Sequence, residues 1–292
     1  MKSGFVSLVG RPNAGKSTLL NRLVGTKLAI VSDKPQTTRN RILGIRNYDA
    51  GQVVFVDTPG IHKPLHRLNV RMVGVAMESM RDVDLVVLVV DASERTGGGN
   101  RFMARVVRQV QGPAILALNK VDLVSRPKLL PLIDAWSREH AFAEIVPLSA
   151  ATGENVERLD GAILQHLPEG EPVYPPDYLT DQPERFFVAE LVREQVLRHT
   201  HAELPFSTAV VVDRFEEPDA NGILLLYCSI LVERASQKAI VVGRAGEMIK
   251  RIGTTAREEL ERFFDARVYL DLHVKVKAEW REDERLLDDL LR

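Results

Sequence analysis

The chain has 292 residues, 45% of them hydrophobic and 27% charged, which is an ordinary globular composition and enough length for two domains. No run approaches the roughly 18 apolar residues of a membrane helix, and a strand pattern begins at the first residues, so we expect neither a membrane span nor a signal peptide. The single cysteine excludes an intrachain disulfide and favours a cytoplasmic protein. The net charge is −1, so the overall charge of the chain does not indicate nucleic-acid binding. Such binding would need a local basic patch.

The first half of the chain alternates β-branched runs with amphipathic stretches, which predicts an α/β domain with a mostly parallel sheet covered by helices on both faces. The predicted strands are residues 5–9, 42–48, 53–56, 85–90, 114–118 and 145–148. Four of these strands end in polar or glycine-rich segments that begin at residues 10, 57, 119 and 149. Because ligands of such sheets bind at the carboxyl ends of the strands, we expect the four segments to converge on one site.

A phosphate-binding loop is the strongest motif, since residues 10–17 fit the pattern G-x-x-x-x-G-K-[ST] between a strand and a helix. Glycines allow the backbone amides to point at phosphate oxygens, and the following helix adds its positive N-terminal end. Lys16 is predicted to bridge the β- and γ-phosphates and the Ser17 hydroxyl to ligate Mg²⁺. The predicted nucleotide-binding residues of this loop are Gly10, Arg11, Pro12, Asn13, Ala14, Gly15, Lys16, Ser17 and Thr18.

The loop of residues 32–39, between the first helix and the second strand, is polar and is predicted to be a switch that offers a threonine hydroxyl to Mg²⁺ and the γ-phosphate. The sequence leaves open whether Thr37 or Thr38 meets the metal; we take Thr38, with Ser17 and Asp57, as the predicted metal ligands. We expect Lys16, Thr37, Thr38 and Gly60 to act on the reacting phosphate.

The D-x-x-G segment Asp57, Thr58, Pro59 and Gly60 follows the third strand, where a carboxylate can hold the metal and the Gly60 N–H can sense the γ-phosphate. In Ras-like enzymes a glutamine follows this glycine and orients the attacking water. Here the position is Ile61, which cannot do so. We therefore predict slow intrinsic hydrolysis that depends on electrostatics, on backbone-held water or on an external group.

The base is predicted to be guanine. Asn119, Lys120 and Asp122 lie at a strand end, and the Asp122 carboxylate can accept hydrogen bonds from the guanine N1–H and exocyclic amine, whereas adenine presents a mismatched edge. Ser149 and Ala150 would complete the base pocket through backbone contacts. The predicted ligands are GTP and GDP.

A proline-rich segment, residues 168–182, is predicted to link domain 1–167 to a second domain, 183–292. In the second domain the pattern predicts a helix over 184–201, a hairpin of strands 208–215 and 223–233 around an Asn-Gly turn, a helix over 247–264 that breaks near Gly253, and a strand over 268–276.

A G-x-x-G turn, Gly243, Arg244, Ala245 and Gly246, lies inside a basic region: residues 234–257 hold six basic side chains and one acidic one. Glycines let a nucleic-acid backbone come close, and the cations supply phosphate contacts. The alternative is a solvated basic helix face beside a tight turn. The predicted RNA-binding residues are Lys238, Gly243, Arg244, Ala245, Gly246, Lys250 and Arg251.

These motifs in this order, together with residues 205–207, 238–253 and 268–280, resemble the Era family of bacterial GTPases over essentially the whole chain. The resemblance implies a Ras-like P-loop GTPase domain followed by an α+β type II KH domain (α-β-β-α-α-β). It also makes residues 239–242 part of a short helix, although β-branching alone predicts a strand there. We follow the resemblance.

The resemblance further implies binding of 16S rRNA near its 3′ end and a role with the 30S subunit precursor. Family members act in the cytoplasm and partly as peripheral proteins on the cytoplasmic face of the inner membrane, and we expect a monomer. Asn13 matches an asparagine that helps hold K⁺ in related GTPases, so K⁺ is a candidate cofactor beside Mg²⁺.

Three functions remain open at this point. The first is an RNA-coupled GTPase switch, the second a constitutive RNA-binding scaffold, and the third a signalling GTPase with a protein or membrane target in cell-cycle or energy control. Complete nucleotide motifs disfavour the second, and the basic G-x-x-G region disfavours the third.

Overall fold

The chain divides into two compact units, which a computed structural model describes over most of their length. The first unit comprises Met1–Val31, Pro35–Leu65 and Asn69–Asp181, and the second comprises Ser32–Lys34, His66–Leu68 and Gln182–Arg292. The described residues are 1–34, 36–61, 66–94, 98–110, 112–200, 204, 207–218 and 222–291. Residue 35 of the predicted switch, residues 205–206 and the hairpin residues 219–221 lie outside them. Among the described residues, no helix has the length and apolar content needed to cross a bilayer.

The first unit is built on a six-stranded sheet of order β2-β3-β1-β4-β5-β6, in which only β2 runs antiparallel to its neighbour. Its strands are β1 (Lys2–Gly10), β2 (Ile42–Tyr48), β3 (Gly51–Asp57), β4 (Leu85–Asp91), β5 (Ala114–Asn119) and β6 (Glu144–Pro147). Its helices are α1 (Lys16–Val24), α2 (Arg67–Glu78), α3 (Gly98–Val107), α4 (Leu129–Glu139) and α5 (Val156–His166).

The central strands explain why the sequence forms this sheet. Every residue of β3, β4 and β5 is buried, as expected for parallel strands covered on both faces, and their sequences are correspondingly near-continuous apolar runs. Because β1, β3, β4 and β5 run parallel, their carboxyl ends lie at one edge of the sheet. This edge carries Gly10, Asp57, Asp91 and Asn119.

Residues 168–181, which make up all but the last residue of the predicted linker 168–182, pack against the first sheet. The Gln52 side chain donates to the Tyr174 carbonyl at 2.8 Å and accepts from the Val173 and Tyr174 amides at 2.8 and 2.9 Å. The Ile45 amide donates to the Leu179 carbonyl at 2.9 Å. These bonds satisfy backbone groups on both sides of the contact, so the segment belongs with the first unit.

The second unit is a three-stranded sheet of order β7-β8-β9, with β7 antiparallel and β9 parallel to β8. Alternate residues of β8, from Leu224 to Val232, are buried, as one covered sheet face requires. Cys228 lies in this row, and burial raises the pKa of its thiol to about 12, so the thiol stays neutral at physiological pH. The elements in chain order are α6 (Glu184–His199), β7 (Ala209–Glu216), β8 (Ile223–Val232), α7 (Ala235–Val242), α8 (Glu247–Phe264), β9 (Arg267–Val276) and α9 (Glu284–Leu290).

Of two local predictions in this unit, the helix that the family resemblance implies for residues 239–242 is confirmed, and the break near Gly253 is wrong. Residues 239–242, which β-branching alone would place in a strand, lie in α7, where Val241 is buried and Ile240 is exposed. The helix α8 runs without a break through Gly253, so the predicted interruption is wrong. Glycine lowers helix stability by only about 1 kcal/mol, which the packing of Ile252, Ala256 and Leu260 can offset.

Candidate functional site

The loop between β1 and α1 has the backbone shape of an anion-binding nest. Asn13 and Gly15 both adopt left-handed φ values, 62° and 95°. A Cβ on Gly15 would lie 2.2 Å from the Asn119 side-chain nitrogen, and one on Gly60 would lie 2.6 Å from the Pro12 nitrogen. The loop and the D-x-x-G segment are therefore in direct contact, and only glycine fits at either position.

A buried cluster of polar side chains lies at the start of α1. The Ser17 hydroxyl lies 2.6 Å from Thr38 Oγ1 and donates to Asp57 Oδ2 at 2.6 Å. Lys16 is also buried and donates to the Arg11 carbonyl at 3.1 Å. Burial lowers the pKa of Lys16, although Asp57 acts in the opposite direction. Burial raises the pKa of Asp57 to about 6, against the opposing effects of Lys16, Ser17, Thr58 and Thr38.

This cluster fits a magnesium ion. Hydroxyl and carboxylate oxygens are the ligands that Mg²⁺ accepts, and Ser17, Thr38 and Asp57 bring three of them together. The second carboxylate oxygen of Asp57 is buried and accepts no hydrogen bond from the described residues. A cation beside this oxygen would offset the cost of burying it.

Asn119 connects the phosphate loop to the predicted base pocket. Its side-chain nitrogen donates to the Ala14 carbonyl at 2.8 Å, and its side-chain oxygen accepts from the Ala150 amide at 2.9 Å. Ser149 is fully buried, and its hydroxyl accepts from the Thr152 amide at 3.2 Å. Asp122 lies in an exposed turn that follows β5. The four predicted segments therefore meet at one edge of the sheet.

The remaining predicted residues lie around this edge. The Thr58 hydroxyl donates to the Leu8 carbonyl at 2.9 Å and anchors the D-x-x-G segment. Pro59 is buried, Thr18 lies in the first turn of α1, and Thr37 is half-buried beside Thr38. Arg11 forms an ion pair with Glu94 on the surface.

Ile61 points into the hydrophobic core rather than toward solvent. Its side chain is 2% exposed and packs with Val9, Met80 and Met103, while its amide donates to the Gly10 carbonyl at 3.1 Å. The side chain at this position therefore cannot hold a water molecule at the phosphate.

Sequence patterns missed two residues of this edge. The first is Asp91, whose Oδ2 lies 2.6 Å from the Lys120 ammonium. Burial alone would raise the pKa of Asp91, but the hydrogen bonds from Lys120 and Ser93 hold that pKa below its ordinary value. Asp91 could have been noted because it ends β4 at the ligand-binding edge. Arg22 donates to the carbonyls of Ala150 and Ala151, and no short motif indicates so distant a contact.

In the second unit, α7 and α8 meet at the G-x-x-G turn. Gly243, Ala245 and Gly246 all adopt positive φ values, 73°, 51° and 79°. A Cβ on Gly243 would lie 2.6 Å from Met248 Cβ, whereas one on Gly246 would meet no atom within 4 Å. Gly243 is thus required by packing, and Gly246 leaves the surface of the turn open to a ligand.

Five exposed cations lie on α7, in the turn and on α8, and none of them forms an ion pair with a described residue. They are Lys238, Arg244, Lys250, Arg251 and Arg257. A groove of about 320 Å³ lies between α8 and β9, lined by the Lys250 and Arg257 side chains, by Gly253 and by the apolar Leu270 and Leu272. An apolar floor with a cationic rim can take bases and phosphates together.

Comparison with known proteins shows which families the two parts of the chain match. The model of the 50S ribosome-binding GTPases matches residues 5–120, and that of the KH domain matches residues 203–281. The GTPase Era of Geobacter sp. (strain M21) is 51% identical, and the match covers 99% of this chain and 97% of that protein. The GTPase Era of Heliobacterium modesticaldum is 46% identical, and the match covers 97% of this chain and 94% of that protein.

Two solved structures have the same fold along their whole length. A single-residue variant of Aquifex aeolicus Era, bound to GDP and AlF₄⁻, superposes with a TM-score of 0.94 at 40% identity, covering 99% of this chain and 98% of its own. An Era complex with MgGDPNP and nucleotides 1506–1542 of 16S ribosomal RNA superposes with a TM-score of 0.95 at the same identity and coverage. The predicted fold class, a Ras-like GTPase domain followed by a KH domain, is confirmed.

Proposed function

The chain belongs to the Era family of GTPases, and from this premise we propose that it couples its GTP cycle to 16S rRNA near the 3′ end while the 30S subunit matures. One observation carries the proposal: the same chain holds a convergent guanine-nucleotide site and a G-x-x-G turn ringed by unpaired cations. The Era relative that was solved with an RNA segment of this kind supports the choice of RNA.

For hydrolysis we assign the following roles. The amides of residues 10–18 and the Lys16 ammonium bind the phosphates, and Ser17, Thr38 and Asp57 would hold Mg²⁺, which supplies positive charge at the phosphate oxygens when bound. We assign the Gly60 amide and Thr37 to contacts with the γ-phosphate. Because Ile61 is buried, the attacking water must be oriented by backbone groups or by an external group, which makes the intrinsic rate slow.

A potassium ion held by Asn13 would add a further positive charge near the phosphates. Asn13 is exposed and adopts a left-handed φ of 62°. Hydrolysis measured in KCl and in NaCl at equal ionic strength tests this assignment: potassium stimulation should disappear in the variant Asn13→Ala.

For base recognition we assign Asp122 to the N1–H and amino group of guanine, with Asn119, Lys120 and the backbone of Ser149 and Ala150 completing the pocket. For RNA we assign phosphate contacts to Lys238, Arg244, Lys250 and Arg251. The Gly243–Gly246 turn gives the RNA backbone close access.

We further propose that the protein works as a monomer in the cytoplasm on a precursor of the 30S subunit. Peripheral association with the inner membrane, which family resemblance suggests, stays a prediction. A signalling role on a protein or membrane target is the competing function, and it requires no RNA affinity.

The proposal is tested by separating the two activities with single substitutions. Gly246→Asp places a negative charge in the open G-x-x-G turn and should lower affinity for an RNA of 16S nucleotides 1506–1542 by about tenfold or more, with GTP hydrolysis unchanged. Lys16→Ala should abolish hydrolysis. The matched control is Gly222→Asp, since Gly222 also has a positive φ, 71°, and open space around it.

The control should keep both activities. Retained RNA affinity in the Gly246 variant, or equal loss in the Gly222 variant, would contradict the assignment of the RNA site. Absence of any RNA affinity in the unmodified protein would favour the signalling role.

A further inference from the structure

Arg22, in the last turn of α1, lies against the loop of residues 149–153, which we call the base loop. Its Nε donates to the Ala150 carbonyl at 3.2 Å and its Nη2 to the Ala151 carbonyl at 2.6 Å. Gly153 has a φ of 91°, and a Cβ there would lie 3.7 Å from the guanidinium. One planar cation thus holds two consecutive carbonyls of the base loop.

The two bonds fix the direction of an amide. In a trans peptide the C=O and the following N–H point in opposite directions, and the chain has no cis peptide among its described residues. When Arg22 holds the Ala150 carbonyl on the α1 side, the Ala151 N–H must point to the other side of the loop.

Neighbouring bonds show that this amide is the donor left over. The Ala150 amide donates to Asn119 Oδ1 at 2.9 Å, and the Thr152 amide donates to Ser149 Oγ at 3.2 Å. The Ala151 amide makes no hydrogen bond with the described part of the chain. Asn119, which holds the Ala150 amide, also binds the phosphate loop, so the Ala151 amide follows directly after a backbone group that is tied to that loop.

We propose that Arg22 is a positioning residue for guanine recognition, which orients the Ala151 amide as a donor to the O6 atom of the base. This inference rests on the proposed nucleotide site and adds a residue to it. Arg22 touches no nucleotide. Its effect is confined to one edge of the base, whereas Asp122 reads the N1–H and the amino group.

The test compares three nucleotides in Arg22→Met, which keeps the apolar stem and removes the donors. GDP carries every recognised group, 6-thio-GDP replaces only O6 with a weaker acceptor, and IDP lacks only the amino group. In the unmodified protein GDP should bind more tightly than both analogues. In Arg22→Met the preference for GDP over 6-thio-GDP should fall by roughly threefold to tenfold, the range of one hydrogen bond, while the GDP-to-IDP ratio stays the same.

Two further variants complete the test. Arg22→Lys, whose ammonium reaches only one carbonyl at a time, should give an intermediate preference for GDP over 6-thio-GDP. This variant keeps the test decisive if Arg22→Met folds poorly. The matched control is Arg138→Met in α4, whose arginine is 77% exposed and, within the described part of the chain, pairs only with Asp134. It should leave all three affinities unchanged.

An unchanged preference for GDP over 6-thio-GDP in both Arg22 variants would overturn the proposal, as would a parallel loss of both nucleotide ratios. If the unmodified protein itself bound GDP and IDP equally, the guanine site would be overturned and the role of Arg22 with it.

Discussion

At the scale of single residues, the position after Gly60 shows how packing restricts the chemistry of a site. Ile61 lies 2% exposed within the core of the first unit, and its backbone rather than its side chain contacts the phosphate loop. A polar residue at this position would have to bury its amide or displace the loop. The slow intrinsic rate that we predict would therefore follow from the fold as much as from the residue type.

We predict that Ile61→Gln will not restore a water-orienting glutamine. The substitution should lower the free energy of unfolding by about 1–3 kcal/mol, because it buries an unpaired amide, and should leave the rate of GTP hydrolysis no higher. Chemical denaturation and single-turnover hydrolysis measure the two effects. Leu123→Gln, at a side chain that is 65% exposed, is the control and should change neither. A faster reaction with unchanged stability would contradict the buried placement of this side chain.

Guanine recognition is predicted to depend on one exposed carboxylate. Asp122→Asn should weaken GDP binding by roughly a hundredfold, because an amide cannot accept both hydrogen bonds from guanine, and should favour xanthosine diphosphate. Competition binding of GDP and XDP measures the change. Asp134→Asn, on the exposed surface of α4, should leave both affinities as they are. Unaltered GDP binding in the Asp122 variant would remove the base assignment.

At the scale of elements, the strands of the first sheet could be predicted from apolar runs because all their residues are buried, which leaves a clear sequence signal. The helix α7 could not, since a short β-branched run has the same appearance in a buried strand and in a helix packed on one face. The packing of residues 168–181 was also hidden, because its partner Gln52 lies more than 100 residues away.

Distance along the sequence also explains which site residues could be predicted. The P-loop, D-x-x-G and Asn119–Asp122 motifs are local, and their positions at the ends of predicted strands predicted the convergence that the structure shows. Arg22 and Asp91 make contacts between distant elements, and these contacts become visible only when the base loop and the strand ends are placed in space.

The G-x-x-G turn provides a prediction at this scale, because its two glycines are required for different reasons. Gly243→Ala should destabilise the second unit by more than Gly246→Ala, since only the former brings a Cβ within 2.6 Å of Met248. We expect about 1 kcal/mol for Gly246→Ala, from its positive φ alone, and at least twice that for Gly243→Ala. Thermal unfolding of the two variants measures the order. Equal destabilisation, or the reverse order, would show that the turn is packed differently.

At the scale of the whole molecule, charge is organised locally rather than in bulk. Residues 183–292 carry 17 basic and 21 acidic side chains, yet the cations beside the G-x-x-G turn have no acidic partner among the described residues. An RNA strand can therefore be attracted to one surface of a domain with negative net charge. This arrangement limits nonspecific binding, which would follow from a basic domain overall.

The proposed coupling between the two activities is also a property of the whole chain. If GTP and RNA favour the same state, each must increase the affinity for the other by the same factor, typically about 5- to 150-fold. A scaffold that uses its nucleotide only for stability would show no such factor.

The most direct test is the affinity for a fluorescent RNA of 16S nucleotides 1506–1542, measured with saturating Mg²⁺ and either GDP or a non-hydrolysable GTP analogue. The GTPase switch predicts binding at least about fivefold tighter with the analogue, and loss of that difference in Asp122→Asn at nucleotide concentrations that saturate only the unmodified protein. Equal affinities with the two nucleotides would contradict the coupling, even if the protein bound both RNA and GTP.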